Sequence, residues 1–486
     1  VSFADPARGF SSRVILLATL LLCPLSAFAA APDGATLSAW WGVPFAGMLL
    51  SIALFPMFAA SFWHHHFGKI AGMWALLFLL PFGVAFGASV AAGVFVHALL
   101  EEYVPFILLL TALYTVAGGI CVRGDLRGSP RTNTAILALG TAIASIMGTT
   151  GAAMLLIRPL IRANGERRHI AHVMVFFIFL VANAGGSLSP LGDPPLFLGF
   201  LNGVGFFWTT QHLVLPMLFL CVALLVLFYA LDSYYFRRDG DRDGDLDRDA
   251  ERPVADPAKD TQRLSLDGKI NFVLLAVVIA LVLMSGLWQP GVVFDVYGTH
   301  VALQNAVRDA ALVGVTLLSL AVTPRAARAG NDFNWAPIDE VAKLFAGIFV
   351  TIAPVILILR AGEAGAFAGI VHLVNDTAGH PRDEMYFWIT GVLSSFLDNA
   401  PTYLVFFNLA GGDAQQLTTS GATTLAAISA GAVFMGANSY IGNAPNFMVK
   451  AIAESRGVRM PGFFGYIGWA AAILLPLFVV MTLLFF

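Results

Sequence analysis

The chain reads as an all-α polytopic membrane protein made of two inverted repeats, each with five transmembrane segments and one re-entrant hairpin. Three observations predict this. Hydrophobic residues make up 58% of the 486 and charged ones 12%, with a mean hydropathy of +0.79. Soluble domains are about half apolar and a quarter charged. Apolar runs recur at the length of a membrane span, about 20 residues. Finally, two stretches 250 positions apart spell nearly the same phrase: Ser189-Pro-Leu-Gly-Asp-Pro-Pro-Leu-Phe-Leu198 and Ser439-Tyr-Ile-Gly-Asn-Ala-Pro-Asn-Phe-Met448. Ser, Gly, Pro and Phe coincide, and Asp193 faces Asn443. Upstream, Gly148-Thr-Thr-Gly-Ala-Ala-Met-Leu155 faces Leu397-Asp-Asn-Ala-Pro-Thr-Tyr-Leu404 at almost the same offset, which sets Thr149 opposite Asp398. Helices broken in matching places of two halves are the mark of a secondary transporter.

The elements follow in order. Arg8 and Arg13, the apolar run Val14 to Leu22, and Ala27-Phe28-Ala29 predict a signal peptide over 1–29. It implies a bacterial inner (plasma) membrane protein. Spans are expected at 43–61, 70–96, 104–121, 170–207, 213–232, 270–288, 307–323, 341–360, 418–453 and 462–486. Of these, 170–207 and 418–453 are too long for one ordinary helix and contain the paired breaks. Basic residues assign the sides. Arg123, Arg127 and Arg131 precede the apolar stretch 134–160, and Arg158, Arg162, Arg167 and Arg168 follow it. Both flanks are therefore cytoplasmic, and a full crossing cannot return to the side it left. The stretch is a re-entrant hairpin with its tip at Gly148 to Gly151. A second hairpin, 386–410, enters from outside with its tip at Asp398 to Pro401. The loops near 97–103, 208–212 and 289–306 carry no Lys or Arg and fall outside. Glu101 and Glu102 are thus loop residues facing solvent, and His64-His65-His66 marks the cytoplasmic end of the first span.

The first repeat is 30–232 and the second 269–486. A charged cytoplasmic linker, 233–268, joins them. Its Asp239, Asp241, Asp243 and Gly244 have the spacing of a calcium loop, but Ala250 stands at the twelfth place where Glu is required. A solvated linker is the expectation. The net charge of −3 argues against a nucleic-acid partner, and Cys23, Cys121 and Cys221 have neither disulfide nor zinc spacing. No cofactor is expected.

The breaks carry the chemistry. Gly and Pro interrupt the helices, and the exposed half-helix ends attract ions. Asp193 and Asp398 are the key groups, because an ionised Asp at mid-bilayer costs about 2.5–3.5 kcal/mol and is kept for function. Around them come Thr149, Thr150, Asn183, Ser187, Ser189, Asn399, Thr402, Asn438, Ser439 and Asn443. Hard oxygen ligands of this kind suit Na⁺, and carboxylates also exchange protons. No Lys or Arg lies at a break or tip. The nearest, Arg158, sits toward the cytoplasmic exit of the first hairpin. The charge balance favours a cation over an anion.

Asn183-Ala-Gly-Gly-Ser-Leu-Ser-Pro-Leu-Gly-Asp193 and Leu397-Asp-Asn-Ala-Pro401 resemble the NhaD-type sodium/proton antiporters. They also resemble the wider ion transporter superfamily, including citrate-transporter-like permeases. The resemblance implies a homodimer, a scaffold domain beside a transport domain, and an elevator-like movement. It matches Asp193 to the acidic place in the first break and Asp398-Asn399 to the acidic hairpin tip. The tips lack the Ser-Asn-Thr of the dicarboxylate branch. The expectation is a Na⁺/H⁺ antiporter, with a Na⁺- or H⁺-coupled carrier of citrate or a related carboxylate as the alternative.

Overall fold

The computed structural model describes residues 32–124, 126–241 and 265–486. The expected signal peptide and the middle of the linker, with most of its aspartates, lie outside these residues. Among the described residues, eight helices are long and apolar enough to cross a membrane. Two further apolar segments, the expected broken spans, are helical only in pieces.

The chain opens with Val43–Phe58 (α1) and Ala60–Phe86 (α2), which fold back on each other about Ala59. Trp74 Nε1 donates to Ser51 Oγ at 3.0 Å across this pair, and Trp41 stands edge-on to Phe78 and Phe82. Gly87, at φ 102°, then separates α2 from Ala88–His97 (α3), a π-helical turn Ala98–Tyr103, and Val104–Ala117 (α4). These last three pieces make one span, Ala88–Ala117. The expected boundaries 70–96 and 104–121 are therefore corrected. The chain turns at Gly87, where the absence of Cβ makes positive φ cheap. Residues 97–103 wind on as a π turn instead of forming an external loop, so Glu101 and Glu102 lie within a helix. A π turn takes in an extra residue without ending the helix, and it often marks a functional place. His64, His65 and His66 lie in the first turns of α2.

Cys121–Arg123 (β1) leads to Pro130–Met147 (α5) and Thr149–Ala163 (α6). Ser129 caps α5 by accepting from Thr132 N at 3.2 Å, with Pro130 at the first helical position. α5 and α6 run antiparallel about Gly148. Asn133 and Asn164 exchange side-chain hydrogen bonds of 2.9 and 2.8 Å at the open end, and Gly128 N donates to Ala163 O at 2.7 Å. Ala171–Leu180 (α7) and Pro194–Leu201 (α8) are the pieces of the first broken span. Trp208–Asp241 (α9) follows and runs nine residues past its expected end at 232. Ser265–Asp267 (β2) pairs antiparallel with β1, Cys121 opposite Asp267. Both ends of the expected linker are thus regular structure.

The second half holds Ile270–Leu287 (α10), the β-hairpin Val293–Val296 (β3) and Thr299–Ala302 (β4), Leu303–Val322 (α11), Arg325–Gly330 (α12) and Ala336–Arg360 (α13). After Ala368–Val374 (α14) come Asp383–Phe396 (α15) and Asn399–Leu409 (α16), interrupted at Leu397–Asp398. Ala414–Thr418 (α17) precedes the second broken span, Ala422–Met435 (α18) and Ala444–Ser455 (α19), and Phe463–Phe485 (α20) ends the chain.

The core lies around the broken spans. Every residue from His172 to Leu180 of α7, and from Thr424 to Met435 of α18, is buried. A helix apolar on all sides belongs in the interior. The outer helices instead expose Leu80, Val84, Leu317 and Leu483, as helices in contact with lipid do.

Candidate functional site

The two breaks share most of their hydrogen bonds, although Ser395 Oγ also bonds Gly391 O of its own helix at 2.7 Å. Ser145 Oγ donates to Gly185 O at 2.5 Å and accepts from Leu188 N at 3.0 Å. In the second half, Ser395 Oγ lies 3.1 Å from Met435 O and accepts from Asn438 Nδ2 at 2.9 Å. Ser189 Oγ donates to Ser145 O, and Ser439 Oγ donates to Ser395 O. Each of these two hydroxyls also accepts a backbone N–H two residues on, from Leu191 and from Ile441, both at 3.2 Å. A Cβ on Gly192 would overlap the Gly186 carbonyl, and one on Gly442 the Gly436 carbonyl. Both loops therefore need glycine for close backbone approach. Asp193 and Asn443 then occupy the cap positions of α8 and α19 with nearly equal torsions, φ −145°, ψ 143° and φ −153°, ψ 137°. Proline follows in the first turn of each, where its missing N–H costs nothing.

All these pairs stand 250 apart, and this corrects the pairing at the tips. Thr149 is not opposite Asp398. The helices α6 and α16 begin at Thr149 and Asn399, so Gly148 faces Asp398 and Thr149 faces Asn399. The equivalence is physical as well as numerical, because Thr149 and Asn399 reach the same group.

That group is Asp193, 2% exposed. Thr149 Oγ1 donates to its Oδ1 at 3.2 Å, Asn443 Nδ2 donates to the same oxygen at 3.2 Å, and Asn399 Nδ2 donates to Oδ2. One carboxylate thus gathers donors from the first tip, the second tip and the second break, and all three are uncharged. Behind it, Asn443 Nδ2 also lies 3.2 Å from Asn183 Oδ1, and Asn183 Nδ2 donates to Asn446 Oδ1 at 2.7 Å. Asn446 Nδ2 in turn bonds Gly436 O and Ser439 O at 2.8 and 2.9 Å. Two acceptors at the tip and the break, Asn399 Oδ1 and Asn438 Oδ1, are buried without a donor. Such an oxygen is costly unless something else occupies it.

A family model described as "Putative citrate transport" matches residues 34–486. The chain belongs to this family. No curated protein matches it. Membership and the apolar helices make it a multi-pass membrane protein and a secondary transporter.

Within this family member, the remaining expected site residues divide into two groups. Asp193, Thr149, Asn399, Asn443 and Asn183 come together in one network. Ser187, Ser189, Ser439 and Asn438 instead hold the loops: Ser187 Oγ donates to Ala184 O at 2.9 Å, and the others make the bonds described above. Thr402 Oγ1 donates to Asp398 O at 3.0 Å within α16. Thr150 stands half-buried beside Thr149. Asp398 does not bond to the Asp193 network. Its Oδ1 accepts from Ala400 N at 3.1 Å and caps α16, and the side chain is half-buried. Arg158 is buried on α6, its Nε on Asp332 Oδ2 at 3.1 Å, and Arg456 joins the same oxygen at 3.3 Å. Sequence reasoning missed Ser145, Ser395 and Asn446. Ser145 and Ser395 carry the same 250-residue offset as the breaks, and that was the signal available.

Proposed function

We propose that this transporter exchanges Na⁺ for H⁺, with Asp193 as the group that carries either ion. One observation carries the reading: Asp193 is buried among uncharged donors from both halves, while Asn399, in contact with it, keeps a carbonyl oxygen that no donor satisfies. A carboxylate with a spare amide oxygen and a threonine hydroxyl is a hard-oxygen set suited to Na⁺. A proton on Asp193 would make the same carboxyl a donor, and rotation of the Asn399 amide would present the acceptor. The two ions then compete, so apparent Na⁺ affinity falls as pH falls. Asp398, half-buried at the second tip, supplies a second negative charge.

The same reading takes the two halves as inverted repeats and the segments 134–160 and 386–410 as re-entrant hairpins. The shared hydrogen bonds of the breaks and the antiparallel α5–α6 pair support it. A homodimer with elevator-like movement in a bacterial inner membrane completes it. A second reading, Na⁺- or H⁺-coupled carriage of citrate or a related carboxylate, is favoured by the family description.

The test uses purified protein in sealed liposomes with an internal pH dye and NaCl added outside. The expected result is dye movement that Asp193→Asn reduces to the level of empty liposomes. Asp398→Asn gives a smaller loss, because an asparagine keeps the cap on Ala400. Exchange that survives with both carboxylates neutral would sink the mechanism. Silence with NaCl together with saturable uptake of labelled citrate selects the second reading.

A further inference from the structure

Arg308 lies five residues into α11, within a span, and is 1% exposed. Its Nε donates to Asp309 Oδ1 at 2.8 Å. Nη1 makes only long contacts, 3.4 Å to Ser285 Oγ on α10 and 3.3 Å to Asn305 Oδ1. Nη2 is buried with no partner. The guanidinium carbon stands 6.0 Å from the ring centroid of Phe197, one turn along α8 from Asp193. One turn before Arg308 on the same helix, Gln304 also leaves its Oε1 buried without a donor.

A structural ion pair accounts for Nε alone. It does not explain a guanidinium held inside a span with Nη2 unpaired and Nη1 held only by long contacts, since an unpaired buried donor costs free energy and an intramembrane arginine marks function. The Nη1–Nη2 edge is the planar fork that takes a carboxylate bidentately. Gln304 Oε1, one turn back on α11 and unsatisfied, suits a hydroxyl or a protonated carboxyl. Asp309 engages Nε, so the arginine is held in place while Nη2 stays unpaired and Nη1 is only weakly held. We propose that Arg308, with Gln304, Asn305 and Ser285, forms a carboxylate-binding subsite between α10, α11 and α8. This goes beyond the cation reading, since it adds an anion contact that the break network does not contain.

The experiment measures equilibrium binding of labelled citrate to the full-length protein in detergent, at fixed Na⁺ and without any gradient, with succinate and acetate as competitors. Binding read this way is independent of ion exchange, so its failure and the failure of the Asp193 mechanism are told apart. Wild type is expected to bind citrate saturably. Arg308→Gln weakens binding by about tenfold or more, the range for a lost charge-assisted hydrogen bond. Arg308→Lys keeps the charge, loses the fork and falls between. Because Arg308→Gln strands Asp309, the double variant Arg308→Gln/Asp309→Asn, which leaves no orphan charge, is measured beside it. A folded double variant that binds citrate as wild type does overturns the proposal, and so does the lack of saturable binding of any of the three carboxylates to wild type.

Discussion

The first break and the second share a frame and differ in charge. Ser145 and Ser395 each tie their helix to the carbonyl at the start of the break, Gly192 and Gly442 press against the equivalent carbonyls of Gly186 and Gly436, and the caps Asp193 and Asn443 have matching torsions. Only one of the caps is ionisable. At the tips the difference is reversed: Gly148, at φ 81°, stands where Asp398 stands in the other half. The shape of each break is therefore carried by small hydroxyls and glycines, and Ser145, Ser189, Ser395 and Ser439 make their bonds within the loops. The ionisable groups can differ between halves because the bonds within the break loops do not use the Asp193 carboxylate, and at the second tip an asparagine could keep the cap that Asp398 makes on Ala400.

The bases of the two helix pairs differ more. Asp232, fully buried on α9, takes Arg167 Nη2 at 2.5 Å, His172 Nε2 at 2.8 Å and Asn133 Nδ2 at 2.9 Å. This ties α5, the segment after α6, α7 and α9 into one closed base. At an offset of 250, Asn164, Arg167 and His172 become Ala414, Leu417 and Ala422, and Asn133 becomes Asp383. The second base has no such buried charge cluster: Thr424 Oγ1 donates to Asp383 Oδ1 at 2.5 Å, and at the end of α16 Arg360 Nε donates to Asn408 Oδ1 at 2.7 Å.

The largest effect expected from this contrast is at Asp232. Asp232→Asn leaves Arg167 buried without its counter-charge, a loss of about 3–5 kcal/mol. Thermal unfolding in detergent should show a large downward shift, and a shift no larger than that of a surface substitution would mean that the base is not held by charge. A middle-sized effect tests the shared frame. Ser145→Ala and Ser395→Ala each strand backbone or amide groups inside the core, about 1–3 kcal/mol apiece. The two losses should match. A loss confined to one half would show that the breaks are alike in outline only.

Much of this was legible beforehand, and the exceptions have physical reasons. Eight of the expected spans, the breaks at Ser189–Asp193 and Ser439–Asn443, and the turn at Gly148 follow from hydropathy and Gly/Pro placement. The tip pairing slipped by one residue because Gly148 and Leu397 look alike only as apolar places, whereas the hydrogen bonds count from the helix caps. Ser145 and Ser395 were invisible as single residues, since a serine in an apolar helix usually bonds its own preceding turn. Glu101 and Glu102 read as a loop because two acids in an apolar run commonly mark one, and the periodicity of a π turn is too short to see. Arg308 sits close enough to a span end that an arginine there is expected to reach out to water. Its burial depends on α8 and α10, which are distant in sequence.

The smallest expected effect is at Thr424. Its hydroxyl is the donor to Asp383, but Asp383 is only half-buried and opens α15, so water replaces the lost bond. Thr424→Val should therefore cost about 1 kcal/mol or less, the net worth of one hydrogen bond with a solvated alternative. The measurement is the same melting shift used for Asp232. If the two shifts are similar, the second base is closed as firmly as the first, and the asymmetry drawn here fails. If Thr424→Val melts close to wild type while Asp232→Asn does not, the first helix pair is the clamped member and the second is the one free to open at its base.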